Sequence, residues 1–357
     1  MKIYKDLYWS IISPQTLFRA WEIFRSDKWK KPDVAAFEVG LERNIFGLYR
    51  DLKARTYKHG PYRGFWIHDP KLRRIHKAMV RDRVLHHAVY TVIYPIFEKS
   101  FISSSFSCRI NKGSHKGVCY LKDVVRKVSR NYTKKCFVLK CDIQKFFDNV
   151  DHDILIGIIR KRIKDVAALE LIEKIIASYY CGVTERERER ESKTLPRKCI
   201  PIGNLTSQLF ANIYMNEFDQ FVKHELKVKY YARYTDDFVI ISDNEEYLKG
   251  LLPKLQEFLE KKLLISLHPN KVSIRPYNRG VDFLGYVVLP HHIKLRTKTK
   301  NRMIRKLKLR VLEYKSGNLT EDKLKASLIS YLGVLSHADA QELRQKVLND
   351  FFFWLSE

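Results

Sequence analysis

The sequence predicts an α+β protein, and three observations carry that expectation. Apolar residues across 1–60 recur at spacings of three and four, as on a helix face. Apolar, aromatic-rich runs at 136–143 and 229–242 read as strands. From residue 290 the chain turns strongly basic while keeping helical spacing. A length of 357 residues allows a substantial core and two or three subdomains.

The elements follow in order. Leu17, Trp21 and Phe24, then Phe37, Leu41, Ile45, Leu48 and Leu52, predict helices that Gly60-Pro61 closes. Residues 62–75 (YRGFWIHDPKLRRI) alternate aromatic with polar and basic residues around Asp69-Pro70, the pattern of a short basic hairpin. Helix returns over 78–99 through Val84, Leu85, Val89 and Ile93. Residues 136–143 (CFVLKCDI) predict a buried strand ending in Asp142, and 151–179 predict helices. The alternating Glu/Arg stretch at 185–191 reads as a solvated hairpin or loop without a catalytic part. A helix is expected over 205–225, after a Pro201–Gly203 turn. Residues 229–242 (KYYARYTDDFVIIS) predict two strands around a Thr-Asp-Asp corner. An amphipathic helix over 245–262 and three short strand-like runs over 263–289 come next, before a basic helical segment from 290.

Charge narrows the partner. Sixty-seven basic against 40 acidic residues give +27, which with 13% aromatics points to a polyanion. Residues 291–310 hold nine Lys or Arg and no acid. Uncompensated, these charges would repel one another, so a surface that tracks nucleic acid is favoured over an ordinary solvated helix face. No apolar run reaches the length of a bilayer span, and residues 1–10 lack the apolar core of a secretory signal. No membrane partner and a cytoplasmic location are therefore expected. The six cysteines form no CxxC pair and no zinc spacing, so free thiols in a reducing compartment are expected.

Acids at strand ends are the main chemical clue. Asp142 closes one apolar strand, and Asp236 and Asp237 occupy a hairpin corner. Adjacent carboxylates repel each other and become tolerable when cations bind there. Mg²⁺ takes oxygen ligands and keeps several waters, so one or two carboxylates plus substrate phosphates suffice. Two such ions about 3.5–4 Å apart can activate a hydroxyl and stabilise a leaving phosphate oxygen. The plainer alternative is that Asp-Asp merely suits a turn.

A series of motifs in order, over roughly residues 60–290, resembles the reverse transcriptases. FVLKCDIQKFFDNVDH (137–152) looks like the first palm motif, and IPIGNLTSQLFANIYMNEFD (200–219) like the next. ARYTDDFVII (232–241) matches the catalytic hairpin, LLISLHPNKVSI (263–274) the following palm element, and VDFLGYVV (281–288) the primer-grip hairpin. PKLRRI (70–75) and SSFSCRINKGSHKG (104–117) are similar to fingers elements.

The resemblance implies a right-hand polymerase fold with fingers, an antiparallel-sheet palm and a helical thumb. The divisions would be a helical N-terminal extension (1–60), fingers (61–135), palm (136–289, with fingers-type helices at 151–199) and basic thumb (290–357). It implies Asp142, Asp236 and Asp237 as catalytic metal ligands for two Mg²⁺, or Mn²⁺ in their place, with the Ile143 carbonyl as a further ligand. Lys71, Arg73, Arg109 and Lys271 fall where the nucleotide's phosphates would lie; Ile202, Gly203 and Gln208 lie in the motif supporting template and nucleotide. Phe147 stands at the ribose gate, where a ring would clash with a 2′-hydroxyl; the alternative is that Phe146 and Phe147 are both core. Tyr234, Phe283, Leu284, Gly285, Lys298, Lys300, Arg302 and Arg305 would contact primer and template.

Most reverse transcriptases read Pro-Gln-Gly and then Ser-Pro in the second palm motif. Here the residues are Pro201-Ile202-Gly203 and Ser207-Gln208. IGNLTSQ, GPYRGFWIHDPK (60–71) and LSHADAQELR (335–344) resemble the polymerases of diversity-generating retroelements. Thr235 departs from that pattern, standing where methionine is common. This subgroup implies error-prone copying of template adenines, a dedicated template RNA, a primer, cDNA, dNTP substrates and a small basic accessory protein oligomer. An aliphatic Ile202 loses any discrimination that a glutamine's hydrogen bond supplies, or else only packs the helix start. The alternatives are an antiphage-defence or other bacterial reverse transcriptase, and a maturase-like, non-catalytic RNA binder.

Overall fold

The computed structural model describes residues 2–69, 71–180 and 197–357. The Glu/Arg stretch at 185–191 and Cys181 lie outside the described residues. The chain divides into two compact units, one of residues 1–103, 142–228 and 253–270, the other of 104–141, 229–252 and 271–357.

The first unit is mainly helical. Its helices are α1 (Leu7–Ile12), α2 (Pro14–Arg25), α3 (Pro32–Val39), α4 (Leu41–Lys53) and α5 (Val80–Glu98). After these come α7 (Phe146–Asn149), α8 (His152–Arg160), α9 (Val166–Ile176) and α10 (Leu205–Gln220), the last running on into a π-helical turn at Phe221–Glu225. Of the residues whose spacing predicts the helices, Leu17, Trp21, Phe24, Ile45, Leu48 and Leu52 are at most 1% exposed, while Phe37 and Leu41 are half-buried. Pro14 starts α2, where a missing N–H costs nothing, and the Ser13 hydroxyl accepts from the Thr16 N–H at 3.2 Å. Asp151 caps α8 and Asp165 caps α9 in the same way. Helix α10 is buried nearly all round, from Thr206 to Asp219, as a helix with core on every side must be. Among the described residues of this unit, the one sheet is the expected basic hairpin, β1 (Arg63–Ile67) antiparallel to β2 (Arg73–Lys77).

The second unit holds α6 (Ser114–Val128) and a four-stranded sheet of β3 (Phe137–Asp142, its last residue assigned to the first unit), β4 (Tyr231–Tyr234), β5 (Asp237–Ser242) and β6 (Ser273–Pro276). The strand order is β4-β5-β3-β6, with β4–β5 and β3–β6 antiparallel. A second sheet, β7 (Val281–Phe283), β8 (Tyr286–Val288) and β9 (Ile293–Leu295), is antiparallel throughout. Helices α12 (Thr297–Lys315), α13 (Glu321–Leu335) and α14 (Gln341–Ser356) follow. Helix α11 (Glu245–Lys262) passes from the second unit into the first. Leu121, Val125, Val138, Val239, Phe283, Val288, Leu307 and Phe351 share one core.

The α+β class is the one read from the sequence. One expectation of secondary structure changes: the segment after 290 does not begin as helix, because Ile293 and Leu295 alternate with exposed Lys294 and add a third strand to the β7–β8 hairpin. Cys108, Cys119, Cys136 and Cys141 carry free thiols as expected, whereas Cys199 is disulfide-bonded.

Candidate active site

The Thr-Asp-Asp corner is a two-residue turn between β4 and β5, because Tyr234 pairs with Asp237 across the hairpin. Thr235 has φ +56°. A β-branched residue in the left-handed region is an outlier worth about 1–3 kcal/mol of strain, which surrounding contacts must over-determine. Those contacts are present. The Ser107 and Thr235 hydroxyls lie 2.6 Å apart, and Arg233 Nη1 donates to the Thr235 carbonyl at 2.9 Å. Arg233 is fully buried and also reaches Ser105 Oγ at 3.2 Å. The Tyr234 phenol is pushed up chiefly by burial, with a hydrogen bond to Ser107 pulling the other way.

β3 ends on Asp142, β5 begins on Asp237, and β3 and β5 are neighbours in the sheet. Asp142, Asp236 and Asp237 are each half-buried. The Asp142 carbonyl accepts from the His268 N–H at 2.8 Å, and the Gln144 N–H donates to Ser266 O at 2.9 Å. Ile143 sits between these two bonds, bridged to Leu267. In that antiparallel pattern its own N–H and C=O point away from the 266–268 strand, leaving the carbonyl aimed elsewhere. Among the described residues no group of three or more His, Cys, Asp or Glu side chains forms a ready-made metal cage. Mg²⁺ does not need one, since it is commonly held by one or two carboxylates, waters and substrate phosphates. The donor chemistry here, all oxygen, fits that ion.

Phe146 and Phe147 divide the two roles weighed from sequence. Phe146 is 2% exposed and packs edge-on against Tyr214. Phe147 is half-buried, edge-on to Phe146, and its carbonyl accepts from the Ile200 N–H at 2.9 Å.

The second palm motif is pinned to β2. The His76 N–H donates to Ile202 O at 3.1 Å, and Asn204 Nδ2 donates to His76 O at 2.9 Å. Gly203 has φ +114°, and a Cβ there would lie 2.7 Å from Ile75 Cγ2. Gln208 is exposed. Arg73 opens β2 as an exposed residue opposite Ile67, and Lys71 and Lys271 are exposed. Arg109 is half-buried, its guanidinium donating to Ser105 O at 2.8 Å.

At the β7–β8 turn, Leu284 (φ +51°) and Gly285 (φ +91°) adopt the two left-handed positions of a tight hairpin turn. Leu284 rests over Gly117 of α6. Phe283, expected to touch nucleic acid, is 0% exposed, because the period-two pattern of β7 turns Val281 and Phe283 into the core. Its ring therefore supports the hairpin rather than contacting a ligand. On α12, Met303, Leu307 and Val311 form the buried stripe, leaving Lys298 and Arg305 exposed and Lys300 and Arg302 half-buried.

Arg233 and Asn204 were not singled out from sequence, and both hold the site's turns in shape. Arg233 carried a signal, since a cation inside a short apolar strand must be paired or functional. Asn204 carried none beyond its place before a helix.

Comparison with known proteins shows the family. Residues 64–288 match the family described as reverse transcriptase (RNA-dependent DNA polymerase), which is more than half of the chain. The chain belongs to this family, whose activity is RNA-directed DNA polymerisation and whose characteristic fold is the right-hand one expected from sequence. It is similar to Protein YkfC of Escherichia coli (strain K12), at 26% identity over 70% of this chain and 71% of that one. It is similar to the Group II intron-encoded protein LtrA of Lactococcus lactis subsp. cremoris, at 24% identity over 80% of this chain and 57% of the relative. A solved structure of apo telomerase from Candida tropicalis, truncated from its C-terminal domain, aligns with a TM-score of 0.46 and 13% identity, over 68% of this chain and 55% of that one. No helix among the described residues is long and apolar enough to cross a membrane.

Proposed function

We propose that this chain copies a template RNA into cDNA by two-metal nucleotidyl transfer, with Asp142, Asp236 and Asp237 as the catalytic acids. The observation that carries the reading is the place of those acids: Asp142 closes β3, Asp237 opens the neighbouring strand β5, and Asp236 precedes it in the turn. The three carboxylates and the Ile143 carbonyl would hold two Mg²⁺, with Mn²⁺ as a substitute. When bound, such ions supply Lewis-acid activation of the primer 3′-hydroxyl and neutralise charge on the leaving pyrophosphate.

The remaining residues bind and orient. Lys71, Arg73 and Arg109 clamp the triphosphate, the arginines by two parallel hydrogen bonds to phosphate oxygens, and Lys271 meets the pyrophosphate. The half-buried Phe147 ring excludes a 2′-hydroxyl. Ile202, Gly203 and Gln208 support the templating pair. Tyr234 and the Leu284-Gly285 turn support the primer end, and Lys298, Lys300, Arg302 and Arg305 follow the phosphate backbone. In this scheme residues 61–135 act as fingers, 136–289 as palm and 290–357 as thumb, after the helical extension 1–60.

The finer role we favour is that of a diversity-generating retroelement, with errors concentrated at template adenines and a small basic accessory protein as partner. Ile202 supports it, as an aliphatic residue at a position where a hydrogen-bonding one is usual. The likeness to a nuclear intron maturase of Arabidopsis thaliana, at 24% identity over 61% of this chain, favours a second reading, a maturase-like chain that binds RNA without polymerising.

Primer extension on an RNA template with dNTPs and Mg²⁺ separates the two. Template-directed cDNA is expected. RNA binding without extension in Mg²⁺ or Mn²⁺ would leave only the second reading.

A further inference from the structure

We propose that Arg233 and residues 104–107 form a brace that sets the geometry of the Asp236-Asp237 corner. The inference rests on the polymerase reading above and adds a positioning role to it.

The corner needs a brace because its first residue is the wrong kind for its backbone. Glycine, asparagine or aspartate takes a left-handed turn position readily, while a β-branched threonine resists it. Thr235 is nevertheless at φ +56°. Two contacts fix it from different sides. The Ser107 hydroxyl, 2.6 Å from Thr235 Oγ1, fixes the side chain. Arg233 Nη1, donating to the Thr235 carbonyl at 2.9 Å, fixes the peptide plane that leads into Asp236.

The brace is itself tied down. The Arg233 N–H donates to Ser104 O at 3.0 Å, and the Phe106 N–H donates to Arg233 O at 2.9 Å. These two bonds make residues 104–106 a parallel neighbour of β4 at Arg233. Arg233 Nη2 then reaches back to Ser105 Oγ. A guanidinium suits this place because its planar fork is charged at any working pH and can serve Thr235 and Ser105 at once. At 0% exposure it meets no substrate, so it is a positioning residue and not a catalytic one. The same segment carries Arg109, whose guanidinium bonds Ser105 O. The brace therefore joins a residue proposed for the triphosphate to the corner proposed for the metals.

The test uses the full chain with Ser107→Ala, Arg233→Lys, Thr235→Gly and the Ser107→Ala/Thr235→Gly pair. Extension kinetics on an RNA template and Mn²⁺ affinity by electron paramagnetic resonance are read side by side. Ser107→Ala and Arg233→Lys are expected to lower kcat about ten- to hundredfold, as small misplacements at a reacting centre do. They should also weaken Mn²⁺ binding several-fold, with KM for primer–template and Tm close to wild type. In the Thr235→Gly background, Ser107→Ala should cost less than about twofold, because glycine holds the left-handed turn unaided.

Wild-type kcat and Mn²⁺ affinity in both Ser107→Ala and Arg233→Lys would overturn the brace. So would an equal loss from Ser107→Ala in both backgrounds. A wild-type chain that binds Mn²⁺ yet extends no primer sinks the polymerase reading instead, and the Mn²⁺ affinities then decide the brace alone.

Discussion

Ile202 and His76 are joined by a backbone hydrogen bond of 3.1 Å, which seats the turn before α10 on the end of β2. Gly203 makes the approach possible, since any Cβ would meet Ile75 Cγ2 at 2.7 Å from a left-handed backbone. Gly203→Ala is expected to cost about 1–3 kcal/mol and to lower extension activity. Ile75→Ala should relieve the clash but not the backbone strain, so the double variant should recover part of the Tm and not all of it. Thermal melts of the three variants check this; a Gly203→Ala protein with wild-type Tm would refute it.

Phe146 and Phe147 should separate cleanly on substitution. Phe146→Ala empties a core position and is expected to cost about 3–5 kcal/mol. Phe147→Ala should leave Tm within a few degrees and admit ribonucleotides. Single-nucleotide incorporation with dNTP and NTP measures the ratio; unchanged selectivity would remove Phe147 from the ribose gate.

Because the Ile202 backbone is held by His76, its side chain can be exchanged without moving the turn. Ile202→Gln restores a hydrogen-bonding group and is expected to lower misincorporation opposite template adenine. Sequencing cDNA made by the two proteins on one template tests this. Identical error spectra would disprove it.

Acid should destabilise the first unit. Burial, and then the Lys28 and Arg83 charges, push the His87 imidazole down to about 4 from an ordinary 6.5. The unfolded chain therefore takes up the proton first as pH falls, and His87's share of stability is lost progressively between about 6.5 and 4. Burial lowers His86 and His152 as well, with the same sign. His87→Gln should show a smaller drop in Tm between pH 7.5 and 5 than wild type, and an equal drop would contradict the assignment.

Much of this was legible from residues alone. Helical spacing located Trp21, Leu48 and Leu52 in the core, and the alternation around Asp69-Pro70 gave the β1–β2 hairpin. Strand β9 was hidden because Ile293 and Leu295 lie within the most basic stretch, where charge outweighs a two-residue alternation. The motif around Phe283, taken whole, points to the ligand, while its alternation with Asp282 turns the ring inward. The contacts of Arg233 with Ser105, and of Asn204 with His76, join residues more than a hundred positions apart. A single sequence carries no register for such pairs; only the folded chain brings them together.

The central claim is that three acids, Asp142, Asp236 and Asp237, carry out metal-dependent copying of RNA. Single-turnover primer extension on an RNA template, by wild type and by Asp142→Asn, Asp236→Asn and Asp237→Asn, tests it most directly. Wild type should extend with Mg²⁺ and stop on chelation by EDTA. Each variant should bind primer–template as wild type does and extend at least about a thousandfold more slowly, since the lost group acts on the charge developing at the phosphate. A variant that extends at the wild-type rate, or a wild type indifferent to EDTA, would contradict the account.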